Sequence, residues 1–257
     1  MLLHKDSVQH APRGTEVPRS DSFPPPQGLY DPRHEHDACG VGFVVHIKGQ
    51  KSHDIVRQAL QVLVNLQHRG ACGCDANTGD GAGILLQMPD RFLRKAADQA
   101  GILLPAERDY GAGLVFLPRD PEVRRQIQSL FEQIAAEEGQ QVLGWRDVPT
   151  DDRDVGPSAV AVEPVFKQIF IGRGPGMTAG DATRFERKLY VIRKRIEHAV
   201  DRAGLPPQER QFFYIVSLSS RTLIYKGMLT AGQIETMFPD LSDPDFESAL
   251  ALVHQRF

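Results

Sequence analysis

The chain has 257 residues, of which 41% are hydrophobic and 25% are charged, as is usual for globular proteins. Its formal net charge of −3 gives no general attraction to nucleic acid, and no apolar run approaches the roughly 18 residues that a transmembrane helix needs. The N-terminus lacks the apolar stretch of a signal peptide, and the three cysteines do not make a secreted disulfide framework. These features predict a cytoplasmic protein that binds neither nucleic acid nor membrane.

The first 38 residues differ in composition from the rest of the chain. They contain six prolines and several charges but no apolar periodicity, so they cannot bury enough surface to offset the entropy lost on ordering. An apolar run, Gly40–Val45, begins directly after Cys39. We therefore expect a disordered leader over residues 1–38 and an ordered domain over residues 39–257.

Cys39 stands at the first position of that domain. If the leader is cut off, the α-amino group of Cys39 becomes a free base beside its own thiol, so that one residue supplies both nucleophile and base. The alternative is that Cys39 is a small apolar side chain in a core, as many cysteines are. Composition alone favours this alternative.

The strands and the first helix are predicted from the spacing of apolar residues. Strands are expected over Gly40–Ile47, Ile84–Met88, Gly113–Leu117, Gln211–Leu218 and Thr222–Met228. Apolar side chains that recur on one helical face predict a helix over Ile55–Leu66. The mixture of strands and helices is typical of an α/β or α+β domain.

Two longer helices are predicted in the middle of the chain. The first has Asp120 as its N-cap and ends at Gly139. The second is predicted to begin with a capping box of Thr183 and Glu186, to end at residues 204–207 and to turn its basic residues towards solvent. Its predicted buried stripe consists of Phe185, Leu189, Ile192 and Ile196.

Several motifs, in order along the chain, resemble one known family. They are Tyr30–Pro32, Glu35–Phe43, His68–Ala71, Thr78–Ile84, Gly144–Pro149, Tyr190–Glu197, Ser219–Met228 and His254–Phe257. These segments are similar to the class II glutamine amidotransferase domain at the start of the glutamate synthase large subunit. The resemblance extends over most of the chain.

The resemblance implies a fold and a reaction. The fold is an α+β, four-layer αββα sandwich of the N-terminal-nucleophile hydrolase type, here truncated at its C-terminus. In the family a leader is removed, which corresponds to residues 1–38 here, so that Cys39 becomes residue one and attacks the side-chain amide of glutamine. An α-amino group has a pKa of about 7.7–8.0, so part of it is neutral near pH 7 and can accept the thiol proton.

The resemblance also implies roles for two arginines. Arg256 matches the arginine that holds the α-carboxylate of glutamine, which suits the bidentate fork of a guanidinium. Residue type alone favours an ordinary surface arginine at this position. Arg69 matches an arginine that helps to order the pocket near the nucleophile, and an equally good alternative is a charge that complements the dipole of the preceding helix.

Other parts of the family's site lie beyond the segment that matches His254–Phe257. They include an Asn-Gly pair that supplies oxyanion donors, and the regions that bind flavin mononucleotide (FMN) and an iron–sulfur cluster and use ammonia with 2-oxoglutarate. We therefore expect neither cofactor nor metal in this chain, and little or no glutaminase activity from the chain alone. The expected partners are glutamine and the remainder of the large subunit, and the resemblance leaves open a small NAD(P)H-oxidising flavoprotein subunit.

Two other functions stay open at this point. One is a different class II amidotransferase, against which the segments Gly144–Arg146 and Tyr225–Met228 argue. The other is a non-catalytic interaction module. The electron donor is open as well, because NADPH, NADH and ferredoxin types share this domain.

Two further motifs contain residue types found in ligand sites, but neither has the context of a phosphate or zinc site. The glycine-rich segment Gly79–Gly83 leads into an apolar strand, whereas phosphate-binding loops open a helix. Cys72 and Cys74 have no second ligand pair of the kind that structural zinc sites show, and we expect free thiols. The metal-capable segment His34–Asp37 falls in the expected leader.

Overall fold

The computed structural model describes residues 26–28, 31, 40–73 and 75–255. Contacts between Cα atoms divide the chain into residues 1–38 and residues 39–257. The helices and strands described below all lie in the second of these units.

Eight β-strands within the described residues form two antiparallel sheets. Their bounds are β1 Gly40–Val45, β2 Ala82–Gln87, β3 Tyr110–Leu117, β4 Gln141–Asp147, β5 Val165–Gly172, β6 Tyr214–Ile215, β7 Thr222–Gly227 and β8 Leu250–Gln255. Sheet 1 has the order β1-β8-β2-β7, and sheet 2 has the order β4-β5-β3-β6. Strand β8 thus lies between β1 and β2 although it is the last of the eight in sequence.

The same residues form seven α-helices and three 3₁₀ turns. The helices are α1 His53–Asn65, α2 Asp90–Gln99, α3 Pro121–Glu137, α4 Pro157–Val160, α5 Ala182–Arg202, α6 Pro207–Arg210 and α7 Gln233–Met237. The 3₁₀ turns are Gln67–Arg69, Ala179–Asp181 and Pro239–Ser242. Helix α1 packs on β1 and β8 of sheet 1, and helices α3 and α5 pack on sheet 2. The two antiparallel sheets with their helices confirm the expected α+β sandwich.

The longer predicted helices are confirmed with their stop signals. Helix α3 begins directly after Asp120, whose carboxylate accepts hydrogen bonds from the backbone N–H groups of Glu122 and Val123. Gly139 ends this helix with a φ of +71°, in the left-handed region that favours glycine. The stripe predicted for α5 is fully buried and consists of Phe185, Leu189, Ile192 and Ile196.

The prediction of a capping box at Thr183 and Glu186 was wrong. The box lies earlier, at Thr178 and Asp181, and caps the 3₁₀ turn that precedes the helix. Thr183 therefore lies inside α5. Glu186 also lies inside the helix and accepts hydrogen bonds from distant groups instead of from the helix start.

The strand predicted over Gln211–Leu218 is much shorter than expected. Only Tyr214 and Ile215 pair with β3 as a regular ladder. The backbone N–H groups of the next two residues, 216 and 217, both point to the carbonyl of Leu114, so the ladder is broken there. A single bridge between Ala112 and Ser219 resumes the pairing.

Buried side chains form two clusters, and sheet 2 contributes to both. One cluster joins α1, α2, α7 and the buried face of sheet 1 to one face of sheet 2. The other fills the space between the opposite face of sheet 2 and helices α3 and α5. The two central strands of sheet 2, β3 and β5, are therefore buried on both faces.

At the β1 edge of sheet 1, one face is buried and the other is exposed. Along β1 the side chains alternate, and Val41, Phe43 and Val45 are exposed by 57%, 67% and 45%. Leu252 of the neighbouring β8 is exposed by 40% on the same face, because it is paired with Phe43. Within the described residues this apolar strip has no covering layer.

A buried polar network joins the two sheets. Arg146 of β4 makes two hydrogen bonds to the Asp240 carboxylate, at 2.9 and 2.6 Å, and a third to Gln168 Oε1 at 3.1 Å. The hydroxyl of Tyr225 in β7 donates to the same carboxylate at 2.7 Å. The segments Gly144–Pro149 and Ser219–Met228, both singled out in the sequence, thus meet at Asp240.

The protonation states of this network follow from burial and charge. Burial raises the pKa of Tyr225 well above its ordinary value, and the nearby Asp240 carboxylate raises it further. Burial is the largest single effect on Arg146 and would lower its pKa, but the hydrogen bonds to Asp240, the charge of Asp240 and the interactions with Tyr225 together outweigh it, so the pKa is raised. The phenol therefore stays a donor, and the guanidinium stays charged, across the ordinary pH range.

We predict that Asp240→Asn lowers the free energy of unfolding by about 3–5 kcal/mol, because Arg146 keeps its charge in a site with almost no solvent. Tyr225→Phe, which removes one hydrogen bond to a charged group, is expected to cost about 1.5–3 kcal/mol. Urea unfolding followed by circular dichroism measures both effects. Asp54→Asn, which breaks an exposed pair with Arg57 at 3.5 Å, is the control and should leave stability unchanged. An Asp240→Asn protein as stable as this control would contradict the role given to the network.

Candidate active site

Two of the three predicted site residues, Cys39 and Arg256, lie outside the described residues. Their chain neighbours Gly40 and Gln255 are described, and they are directly paired at the end of the β1–β8 ladder. Gln255 is also paired with Ala82, the first residue of β2. Three segments distant in sequence thus converge at one end of sheet 1.

Arg69, the third predicted residue, lies at the same end of the sheet. It is exposed, and it closes the 3₁₀ turn that follows α1. A Cβ atom on Gly40 would stand 3.0 Å from the Cβ atom of Arg69. The stem of the arginine side chain therefore lies against the bare Cα of the residue that follows Cys39.

Gln255 and Gly70 form a second close contact that the sequence did not reveal. The Gln255 side chain is 2% exposed, and a Cβ atom on Gly70 would be 2.3 Å from its Nε2 atom. The turn that carries Arg69 is packed onto Gln255 in this way. The only sequence signal for this contact was Gly70, which directly follows Arg69 in a segment that resembles the family.

The loop between this turn and β2 is held by hydrogen bonds within the loop. The N–H group of Ala71 donates to Asp80 Oδ1 at 3.0 Å, and the N–H group of Asp80 donates to the Ala71 carbonyl at 3.0 Å. A Cβ atom on Gly79 would lie 2.2 Å from the backbone of Leu229. Close backbone approach therefore explains this glycine.

The glycine-rich segment leads into a strand, as expected. Strand β2 begins at Ala82, so no helix N-terminus follows the loop to face an anion. An irregular turn also surrounds Gly174, directly after β5 ends at Gly172.

The cysteines and histidines give no metal centre in the part of the chain that the structure describes. Cys72 is an exposed free thiol, whereas Cys74 and the segment 34–37 lie outside the described residues. Among the described side chains, no three or more of His, Cys, Asp and Glu come together as metal ligands. A search of the same residues for a helix able to span a membrane finds none.

Comparison with known proteins gives a consistent set of relatives. The chain is 46% identical over 237 residues to the large chain of an NADPH glutamate synthase from Bacillus subtilis, and the match covers 92% of this chain and 15% of that one. It is 41% identical over 239 residues to an NADH glutamate synthase from Schizosaccharomyces pombe, with 92% and 11% covered. A chloroplastic ferredoxin-dependent glutamate synthase 2 from Arabidopsis thaliana is 36% identical over 238 residues, with 93% and 14% covered.

The chain thus spans between 11% and 15% of the length of these relatives. The sequence profile of one family, described as glutamine amidotransferases class-II, matches residues 39–257, from the candidate nucleophile to Phe257. With its two antiparallel sheets and its site segments converging at one sheet end, the chain belongs to the class II glutamine amidotransferases.

Proposed function

We propose that this chain is the ammonia-releasing part of a glutamate synthase large chain, with Cys39 as its nucleophile. The observation that carries the proposal is the pairing of Gly40 with Gln255 at the end of β1 and β8. Each of these residues is bonded to one of the proposed site residues, Cys39 and Arg256. Consecutive Cα atoms are about 3.8 Å apart, so the proposed nucleophile and the proposed carboxylate ligand are each one residue from a paired position.

Strand periodicity supports a common face for the two residues. In β1 and β8, Val41 and His254 are opposite each other, on the face away from α1. A side chain two residues along a strand returns to the same face. In the sequence, Cys39 and Arg256 stand two residues from Val41 and His254, which is the spacing of side chains that share a strand face, and the proposal assigns both to one small substrate.

The reaction is a two-step acyl transfer. The thiol of Cys39 gives its proton to the freed α-amino group, and the sulfur attacks the side-chain amide carbon of glutamine. The C–N bond breaks, ammonia leaves with that proton, and a thioester remains. Water then attacks the thioester carbon, which releases glutamate and restores the thiol. An amide nitrogen is not a base, so the chemistry requires cleavage of the peptide bond between residues 38 and 39.

In this proposal one arginine holds the substrate and a second supports the pocket. Arg256 binds the α-carboxylate of glutamine through its two parallel N–H donors. Arg69 supports the pocket from the turn that rests on Gly40 and Gln255. The rigid packing of this turn fixes the arginine relative to the strand ends, which is the kind of support that a catalytic group needs.

The remaining parts of the reaction belong to the longer protein in this proposal. They comprise the oxyanion donors, FMN, an iron–sulfur cluster, the use of ammonia with 2-oxoglutarate, and a small NAD(P)H-oxidising flavoprotein subunit in some members. The described residues bring no group of three or more His, Cys, Asp and Glu side chains together. The relatives include NADPH, NADH and ferredoxin-dependent glutamate synthases.

We predict that the mature longer protein begins at Cys39. Intact mass and N-terminal sequencing should show the loss of residues 1–38, because only then does the base exist. A fully active protein that retains Ala38 would contradict the proposed mechanism.

A second prediction concerns the nucleophile. In the longer protein, Cys39→Ala should abolish synthesis from glutamine and leave synthesis from added ammonia, because the ammonia-consuming chemistry lies elsewhere. Cys72→Ala is the matched control, since Cys72 is an exposed thiol with no assigned role. An electrophilic glutamine analogue should label the Cys39 peptide and not the Cys72 peptide. Glutamine hydrolysis by Cys39→Ala at a rate near that of the control would refute the assignment.

The third prediction is that the 257-residue chain alone has little glutaminase activity. Loss of one oxyanion donor costs about 10²–10³ in turnover, and the family places these donors beyond residue 257. A steady-state ammonia assay should compare this chain with one extended through the following segment. Equal turnover by the two proteins would mean that the donors lie within residues 39–257.

A further inference from the structure

A polar cavity of about 360 Å³ lies among four separate loops and helix ends. The residues that matter for its chemistry are Lys51, Glu107, Arg108, Ala182, Ser220 and Arg221. Arg221 belongs to the segment Ser219–Met228, which resembles the family but has no role in the proposed reaction. Three of the six side chains are basic and one is acidic.

The acidic side chain is already neutralised. Lys51 Nζ donates to Glu107 Oε1 at 2.8 Å, and this pair carries no net charge. Within the described part of the chain, neither Arg108 nor Arg221 has a carboxylate within ion-pair distance. Two guanidinium groups thus line one cavity with no carboxylate in ion-pair contact, an arrangement that attracts an anion.

Arg108 stands in a backbone conformation that arginine rarely adopts. Its φ is +72°, and no other described residue except glycine has a positive φ. The N–H group of Asp109 donates to the Ala106 carbonyl at 2.9 Å, so Arg108 is the third residue of a tight turn, where glycine is usual. An arginine that breaks this local rule without a visible contact to compensate for it points to a functional role.

Arg221 is presented by a turn with a rigid polar base. Both oxygens of the Glu186 carboxylate are used there, one by the Ser219 hydroxyl and the other by the Ser220 hydroxyl and N–H group, at 2.6–2.8 Å. Ser219 and Ser220 are almost fully buried, at 8% and 4% exposure. The Arg221 guanidinium donates to Thr183 Oγ1 at 3.1 Å, which holds it at the start of α5.

We propose that this cavity is an oxyanion site in which Arg108 and Arg221 bind a phosphate or carboxylate group. The planar fork of each guanidinium matches two oxygens of such a group. The strained turn places one arginine and the buried serine–glutamate base places the other. This site is separate from the proposed glutaminase site and does not depend on it.

Titration of the full 257-residue chain with inorganic phosphate, and separately with acetate, tests the proposal. Ionic strength is kept constant with sodium chloride, and binding is followed by thermal unfolding and by calorimetry. We expect saturable stabilisation by one of the two anions, and which of them acts identifies the oxyanion class. Arg221→Gln should weaken this binding about tenfold or more, because a charge-assisted hydrogen bond is lost.

Arg108→Gly provides the sharper test because it separates two effects. Glycine relieves the positive φ, so without the anion the thermal midpoint should rise by about 2–4 °C, while the response to the anion should fall. Arg57→Gln, at an exposed position on α1, is the control and should respond as the parent does. The proposal is overturned if neither anion gives a saturable response, if both cavity variants respond like the parent, or if the control loses its response equally.

Discussion

The insertion of β8 between β1 and β2 is the constraint on which the rest of sheet 1 depends. Within the described residues β8 is the only strand that pairs with β1, so the backbone groups of the first strand find their partners near the end of the chain. Helix α1 packs across β1 and β8, so its apolar face is buried only when both strands are paired. The same pairing brings Gly40, Gln255 and the start of β2 together. The candidate site is thus a product of topology rather than of any local motif.

The Arg146–Asp240–Tyr225 network sets the relation between the two sheets. Apolar packing between them is extensive but non-directional, whereas a bidentate ion pair with a third hydrogen bond permits few alternative arrangements. A buried ion pair is often no more stabilising than an apolar replacement would be. Its value here lies in specificity, because removal of any one partner leaves a buried polar group unsatisfied. Two of the segments that carry the family resemblance meet in this network, which gives them a structural reason for their composition.

Much of the helical structure was predictable because its signals are local. The Asp120 cap, the Gly139 stop and the stripe of α5 each depend on residues within a few positions of one another. Strands β4, β5 and β8 were not predicted. Strand β5 is buried on both faces, so no alternation of polar and apolar residues marks it. Its partner strands β3 and β4 are distant in sequence, and such pairing leaves no local signal.

For the site, the sequence pattern located Cys39 at the head of a strand, and the resemblance supplied the arginines. The contact of Arg69 with Gly40 and the burial of Gln255 depend on the assembled sheet, so no local pattern could have predicted them.

The separation of β1 from β8 has a consequence during synthesis. Of the strands described here, β1 leaves the ribosome first and its partner β8 is made last. At about 5–20 residues per second, the wait is on the order of 10–40 seconds. Throughout that time an uncharged, β-branched and aromatic hexapeptide without proline has unpaired backbone groups on both sides. Nascent chains on neighbouring ribosomes carry the same segment, so a chaperone that covers β1 would keep these copies from pairing with one another.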